Sequence, residues 1–406
     1  MTLKRFSVVV GLSAMLVAPC AHAVSYTFVD LHPAGYSLSY GEGGIAGGQQ
    51  VGYGLHVASA TVRALLWSGT ADSVVDLHPA GYDWSNARGV DGVHQVGYGP
   101  YTASGAEHAL LWAGSAGSVV DLHPSGYESS EAWGVSGVEQ VGFGMVDSSK
   151  ELTHALLWRG NASSVVDLHP DGYFKTQARR VAGGQQVGWG THMASGEGHA
   201  LVWSGTADSA LSLHPIDALS SAAYGLGDGQ QVGQARVREG VYSATHAALW
   251  SGSPESFVDL HPDGYNWSLA LNASAGKQVG YGGNVAAQEI HALVWSGSAD
   301  SAVDLHDYAP SDTFYSYAVE IDPTGTVLGS VWTFDAQVRA CMWVPQSDVI
   351  PEPTTLSLFA LGGLALLRRR RKRWPLATTT HKAPCPVTEY GAPRPSGPCS
   401  VSARVS

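Results

Sequence analysis

The string Ser-Val-Val-Asp-Leu-His-Pro occurs at residues 73–79 and returns unchanged at 118–124 and 164–170. Looser copies place an Asp-Leu-His element at Asp30, Asp76, Asp121, Asp167, Asp259 and Asp304, with Ser212 in the Asp position of a seventh copy. Successive copies are 45 to 47 residues apart. A second element, typified by His-Ala-Leu-Leu-Trp, ends at Trp67, Trp112, Trp158, Trp203, Trp250, Trp295 and Trp343. A third, Gln-Val-Gly-Tyr-Gly, starts at Gln50, Gln95, Gln140, Gln186, Gln231 and Gln278, with a worn seventh copy at residues 327–331. Such a fixed period constrains the fold more than any local motif, because each repeat must be one supersecondary unit that buries its apolar surface against its neighbours.

One unit reads as four short strands, at residues 86–90, 95–98, 108–112 and 119–123, with Gly, Asp, Ser and Pro in every gap. No stretch of the body has a helical period. Four strands in about 45 residues is the size of a propeller blade. In residues 108–112 both faces are apolar, Leu110 and Trp112 on one and Ala109 and Leu111 on the other, which suits strands covered on both sides. Residues 24–33 carry a fourth strand alone, and the last unit stops at its third strand, so joining the two completes one blade and removes free edges. The expected fold is all-β: a seven-bladed β-propeller closed by the N-terminal strand, plus a short C-terminal transmembrane helix.

The body is acidic. Residues 24–350 hold 11 Lys and Arg against 32 Asp and Glu, a net charge of -21, while the C-terminal part is basic. That balance argues against nucleic acid, whose phosphates require Lys and Arg. Of the four cysteines only Cys341 lies in the body, so no disulfide framework is expected there.

The two ends carry targeting signals. Lys4 and Arg5 precede an apolar run, and Ala21-His22-Ala23 matches the small-x-small pattern, which predicts a secretory signal peptide cut after Ala23. At the other end Pro351, Glu352 and Pro353 precede an apolar run at residues 356–367 and the cluster Arg368, Arg369, Arg370 and Arg371. The run is shorter than the ~20 residues of a standard span; snorkelling arginines make a short anchor with the basic cluster on the cytoplasmic side. This order resembles the PEP-CTERM sorting signal. The resemblance implies a transient inner-membrane anchor in a Gram-negative bacterium that makes exopolysaccharide, processing by an exosortase, and delivery to the cell surface or release. The family signal ends near its basic cluster, whereas here a Pro-, Ser- and Thr-rich tail follows, with little to bury and read as disordered. The expected organisation is a signal peptide at 1–23, a propeller at 24–345, a linker at 346–353, a transmembrane segment with its basic cluster at 354–373, and the tail at 374–406.

The units also resemble the HAF repeat, through His108-Ala109-Leu110-Leu111-Trp112, Asp121-Leu122 and Gln95-Val96-Gly97. That resemblance implies an extracellular repeat protein and no catalytic residues.

Asp76 and His78 stand two apart on a strand and so share a face. With the third-strand His108 type of residue, such a pair has the donors of a metal site. The competing reading is a structural Asp-His pair, as in Asp76 and His78, Asp121 and His123, and Asp167 and His169, holding strand three to strand four. The repeats favour the structural reading, because Arg63 and Arg339 replace the third-strand His in two copies, and Arg is a donor but no metal ligand. No nucleophile elbow or phosphate loop is present, so no catalytic residue, cofactor or metal ligand is assigned. Tyr82, Trp84, Tyr265 and Trp267 follow the fourth strands, where an aromatic rim suits sugars. The expected role is a non-enzymatic surface or matrix protein associated with exopolysaccharide. A glycan-binding lectin-like propeller is the first alternative, and a propeller glycosidase or lyase the second.

Overall fold

A computed structural model describes residues 24–346. The signal peptide, Ala21 and Ala23, the Pro351-Glu352-Pro353 motif, the Arg368–Arg371 cluster, the transmembrane segment and the tail lie outside the described residues. Among the described residues no helix is long and apolar enough to cross a membrane; the helical elements there are single 3-10 turns such as Ala71–Ser73.

Five repeats form separate four-stranded antiparallel sheets, each a meander in chain order. In the second repeat the strands are Asn86–Val90, Gln95–Pro100, Glu107–Trp112 and Val120–Asp121. The sixth and seventh repeats share one eight-stranded sheet, joined by a single parallel bridge from Ile290 to Tyr315. The strand Tyr26–Asp30 pairs antiparallel with Val338–Pro345, Phe28 opposite Trp343. The first strand of the chain thus supplies the fourth strand of the last repeat, as the repeat phase predicts. The first repeat in turn touches the last, through Gly41 N–H to Ser330 Oγ at 3.0 Å and Ala340 N–H to Ser39 Oγ at 3.0 Å.

One expectation fails in detail. The fourth strand is two residues long, not the five of residues 119–123. Leu122 N–H still reaches Ala109 O at 2.8 Å, but the next amide, His123 N–H, turns to Asp121 Oδ1 at 2.8 Å. Asp121 therefore ends the ladder by offering its own carboxylate as an alternative acceptor, a habit of Asp near turns.

The core lies between repeats. The seven tryptophans that close the third strands, and the seven leucines of Asp-Leu-His (Leu31, Leu77, Leu122, Leu168, Leu213, Leu260 and Leu305), are fully buried. Trp112 packs with Leu66, Leu77 and Ala87, contributed by the first and second repeats, so a repeat cannot bury its own Trp alone. All four residues of Ala109–Trp112 are buried, in keeping with a strand covered on both faces.

Candidate functional site

Each Asp-Leu-His element makes two connections with different partners. The Asp carboxylate reaches the residue that opens the third strand: Arg63 Nη1 to Asp76 at 2.5 Å, and His108, His154, His246 and His291 Nδ1 to Asp121, Asp167, Asp259 and Asp304 at 2.6 to 2.7 Å. Burial pushes the carboxyls of Asp167, Asp259 and Asp304 upward, but the hydrogen bonds and charge of their histidines, together with the backbone N–H bonds, outweigh it and hold them below the usual range.

The His of the element does not pair with its own Asp through the ring, which corrects the Asp76–His78, Asp121–His123 and Asp167–His169 pairing. Only its backbone N–H bonds that Asp. The imidazole Nδ1 instead meets a fully buried hydroxyl at the start of the next repeat: His78 with Ser85, His123 with Ser130 and His169 with Thr176, each at 2.9 Å. The same hydroxyl accepts an N–H from the preceding repeat, as in Ala109 N–H to Ser130 Oγ at 3.0 Å. In His169 and His261 the ring Nε2 faces the carbonyls of Tyr173 and Tyr265 at 3.1 Å; a carbonyl can only accept, so Nε2 carries the proton there and Nδ1 accepts from the hydroxyl. Burial keeps these rings below the usual histidine range.

Tyr82 and Tyr265 are also committed to structure. Their hydroxyls donate to Asp121 and Asp304 at 3.1 Å, and their rings rest against His108 and His291. Trp267 is half-buried, with its indole lying on Gly283. Trp84 is half-buried too, beside a small open hollow formed with Ala60, Thr61, Val62 and Asp83.

A site that sequence reasoning missed lies where the first strands converge. In six repeats the first strand slips register at an equivalent point, between Ala87 and Gly89, Ala132 and Gly134, Ala178 and Arg180, Ala223 and Gly225, Ala270 and Asn272, and Ala318 and Glu320. The residue stranded at each slip is Arg88, Trp133, Arg179, Tyr224, Leu271 or Val319, and each lines one common pocket of about 360 Å³. Glu42 joins them from a longer irregularity in the first repeat. A bulge leaves one residue out of the ladder and re-aims its side chain, which is how seven equivalent positions come to face one space.

The pocket is aromatic and cationic. Arg179 lies over the Trp133 ring at 3.9 Å and Arg88 over the same ring at 4.7 Å. Arg88 donates to Glu42 at 3.0 Å, and Arg180 pairs with Glu320, which also accepts from Asn272. Arg179 donates to the Gln177 amide oxygen at 2.9 Å and has no carboxylate within ion-pair distance among the described residues. Behind Trp133, Glu131 accepts its indole N–H at 2.8 Å. Burial pushes the Glu131 carboxyl up to about 7, against the pull of that hydrogen bond.

Comparison with known proteins defines the class. Two solved structures, a puromycin hydrolase and a study of two prolyl endopeptidases, are each 12% identical with TM-scores of 0.50, and the match covers 78% and 77% of this chain. This chain spans about half their length, 55% and 51%. The β-propeller domain of the Trilobed protease from Pyrococcus furiosus is similar at 9% identity over 76% of this chain and 94% of that one, with a TM-score of 0.49. At such identities the likeness shows the fold alone; that this fold is all-β and propeller-like rests on its own repeated four-stranded meanders. Residues 349–372 match the PEP-CTERM protein-sorting motif, which implies export and sorting by an exosortase. No curated protein sequence matches the chain.

Proposed function

We propose that this is an exported surface protein whose seven repeats are the blades of one closed propeller, and that the axial pocket holds an acidic sugar of the surrounding exopolysaccharide without turning it over. The observation that carries the reading is the pocket itself. Of 11 basic residues in an acidic body, Arg88, Arg179 and Arg180 stand together there. Arginine is the residue suited to a planar carboxylate, and aromatic faces suit the apolar faces of sugar rings. A volume of about 360 Å³ lies within the range of small-ligand sites. The terminal strand pairing supports the closed ring, and the HAF-like elements fit an extracellular repeat protein. The sorting motif supports cleavage and release at the C-terminal side, with the inner membrane as a temporary station.

The test is calorimetric titration of the purified protein with a uronic-acid oligosaccharide and its neutral counterpart. Saturable binding of the acidic sugar at one per chain, weakened at least tenfold by Arg179→Ala and by Trp133→Ala, supports the reading. Equal binding of the neutral sugar, or indifference to both substitutions, overturns it. The enzyme reading draws on one feature, the Glu131 carboxyl poised near neutrality beside the pocket; sugar fragments released on incubation would favour it over simple binding.

A further inference from the structure

The fourth repeat breaks the pattern of Asp-Leu-His, and the break gathers metal-binding groups. In six repeats the residue opening the third strand faces an Asp carboxylate, from Arg63 with Asp76 to Arg339 with Asp30 at 3.6 Å. In the fourth repeat that Asp is Ser212, so His199 has no such partner. Its Nδ1 meets instead the Tyr173 hydroxyl, at 3.5 Å. A carboxylate enters from elsewhere: Glu197, two residues before His199 on the connection into the strand Gly198–Trp203. One donor atom each from Glu197, His199 and His214 lie within 4.8 Å of one another. The imidazole of His192 adds to the group, stacked 4.8 Å from His199.

A second departure opens the space beside this cluster. In the first, third, fourth and sixth repeats a Tyr ring lies on the last Gly of Gln-Val-Gly-x-Gly; a Cβ on Gly144 would sit 2.4 Å from Tyr127, and one on Gly190 2.8 Å from Tyr173. The fifth repeat has Ala218 at the Tyr position and Ala235 at the Gly position. Without the ring, a cleft of about 1250 Å³ lies next to the cluster, lined by Glu197, His199 and His214 on one side and by Leu219, Val237 and Arg238 on the other.

We infer that Glu197, His199 and His214 bind one divalent transition-metal ion of the zinc type, with an open coordination position toward the cleft. Two imidazoles and one carboxylate are a ligand set zinc accepts, the fourth position being left to water or a bound molecule. Ligand bonds of about 2.0–2.2 Å in tetrahedral geometry need donors about 3.3 Å apart, so donors that lie within 4.8 Å of one another close by at most about 1.5 Å on binding. His214 keeps the Ser221 hydroxyl on Nδ1 at 2.9 Å and offers Nε2. The His199 ring, now parallel to His214 at 4.1 Å, turns out of that stack. It is free to turn because the Asp that fixes its counterparts is missing. This site is separate from the axial pocket and is independent of what that pocket binds.

The experiment is calorimetry of the full-length protein with Zn²⁺ after treatment with chelator, with Co²⁺ absorption as a spectroscopic readout. Expected are one ion per chain and visible Co²⁺ bands of the intensity typical of low coordination. His199→Ala should weaken binding at least tenfold and Glu197→Gln several-fold. His154→Ala, which removes an Asp-paired imidazole, should leave it unchanged. Circular dichroism of each variant checks the fold. Absence of saturable binding overturns the inference. So does a stoichiometry near four, which would assign the ions to the Asp–His pairs, or a single ion indifferent to His199→Ala.

Discussion

Ser130→Ala tests the reading of the Asp-Leu-His element as a tie between repeats. Ser130 Oγ is fully buried; it accepts Ala109 N–H from the second repeat at 3.0 Å and bonds His123 Nδ1 at 2.9 Å. Removing it leaves the Ala109 amide without a partner, at about 1–3 kcal/mol, and costs the His123 bond, at about 0.5–1.5 kcal/mol. The loss expected is therefore about 1.5–4.5 kcal/mol. Ser130→Thr is the control, because Thr176 performs the same double role one repeat later, with both distances conserved at 3.0 and 2.9 Å. Urea unfolding followed by tryptophan fluorescence reads the difference, since Trp112 and Trp158 lie in the cores flanking this tie. Hydrogen exchange at the Ala109 amide localises it. An unchanged midpoint for Ser130→Ala, or an equal loss in Ser130→Thr, would refute the reasoning.

Four further outcomes follow from the same geometry. Gly144→Ala should destabilise by about 1–3 kcal/mol through overpacking against Tyr127, and adding Tyr127→Ala should relieve most of the strain, as the Ala218 and Ala235 combination already does; a thermal double-mutant cycle with no coupling would contradict this. Trp112→Ala, which empties a fully buried site, should cost about 3–5 kcal/mol, measured by the same unfolding assay. The rings of His32, His78, His123, His169, His261 and His306 are held below the usual histidine range, burial being the leading cause, so the unfolded chain binds more protons and stability falls as pH drops below about 6.5; His246 and His291, held above that range, favour the acidic side but are outnumbered, and a melting temperature that rises between pH 7.5 and 5 would sink the argument. Intact-mass measurement of the exported protein should show loss of residues 1–23 and of the segment beyond about Pro353, and a full-length mass would exclude processing at either end.

Much of the architecture was legible in the sequence because the repeats are comparisons within one chain. Trp and Leu positions that recur without exception had to be core, and the Arg63 and Arg339 replacements pointed to ion pairs. The imidazole partner was not legible. Ser85, Ser130 and Thr176 lie seven residues downstream of their histidines, across a turn whose path no periodicity reveals. The axial pocket left a faint signal: Arg88, Trp133, Arg179, Tyr224, Leu271 and Val319 each follow a recurrent Ala, and these six positions hold five residue types. A variable residue inside an otherwise uniform strand faces something other than the shared core.

The sequence by itself determined the repeat, its four strands, the sharing of the last unit between both ends, and the sorting signal, since all of these are local patterns or spacings along the chain. Tertiary structure alone decided what meets across about 45 residues of chain at a time. Bulges in the first strands turn one residue per repeat toward a common pocket, so residues spread from Glu42 to Val319 become neighbours. The loss of one Asp at Ser212 and one Tyr at Ala218 becomes a His-Glu cluster beside a cleft. Neither follows from spacing, because the direction of a bulged side chain and the room left by a missing ring are set by packing between repeats.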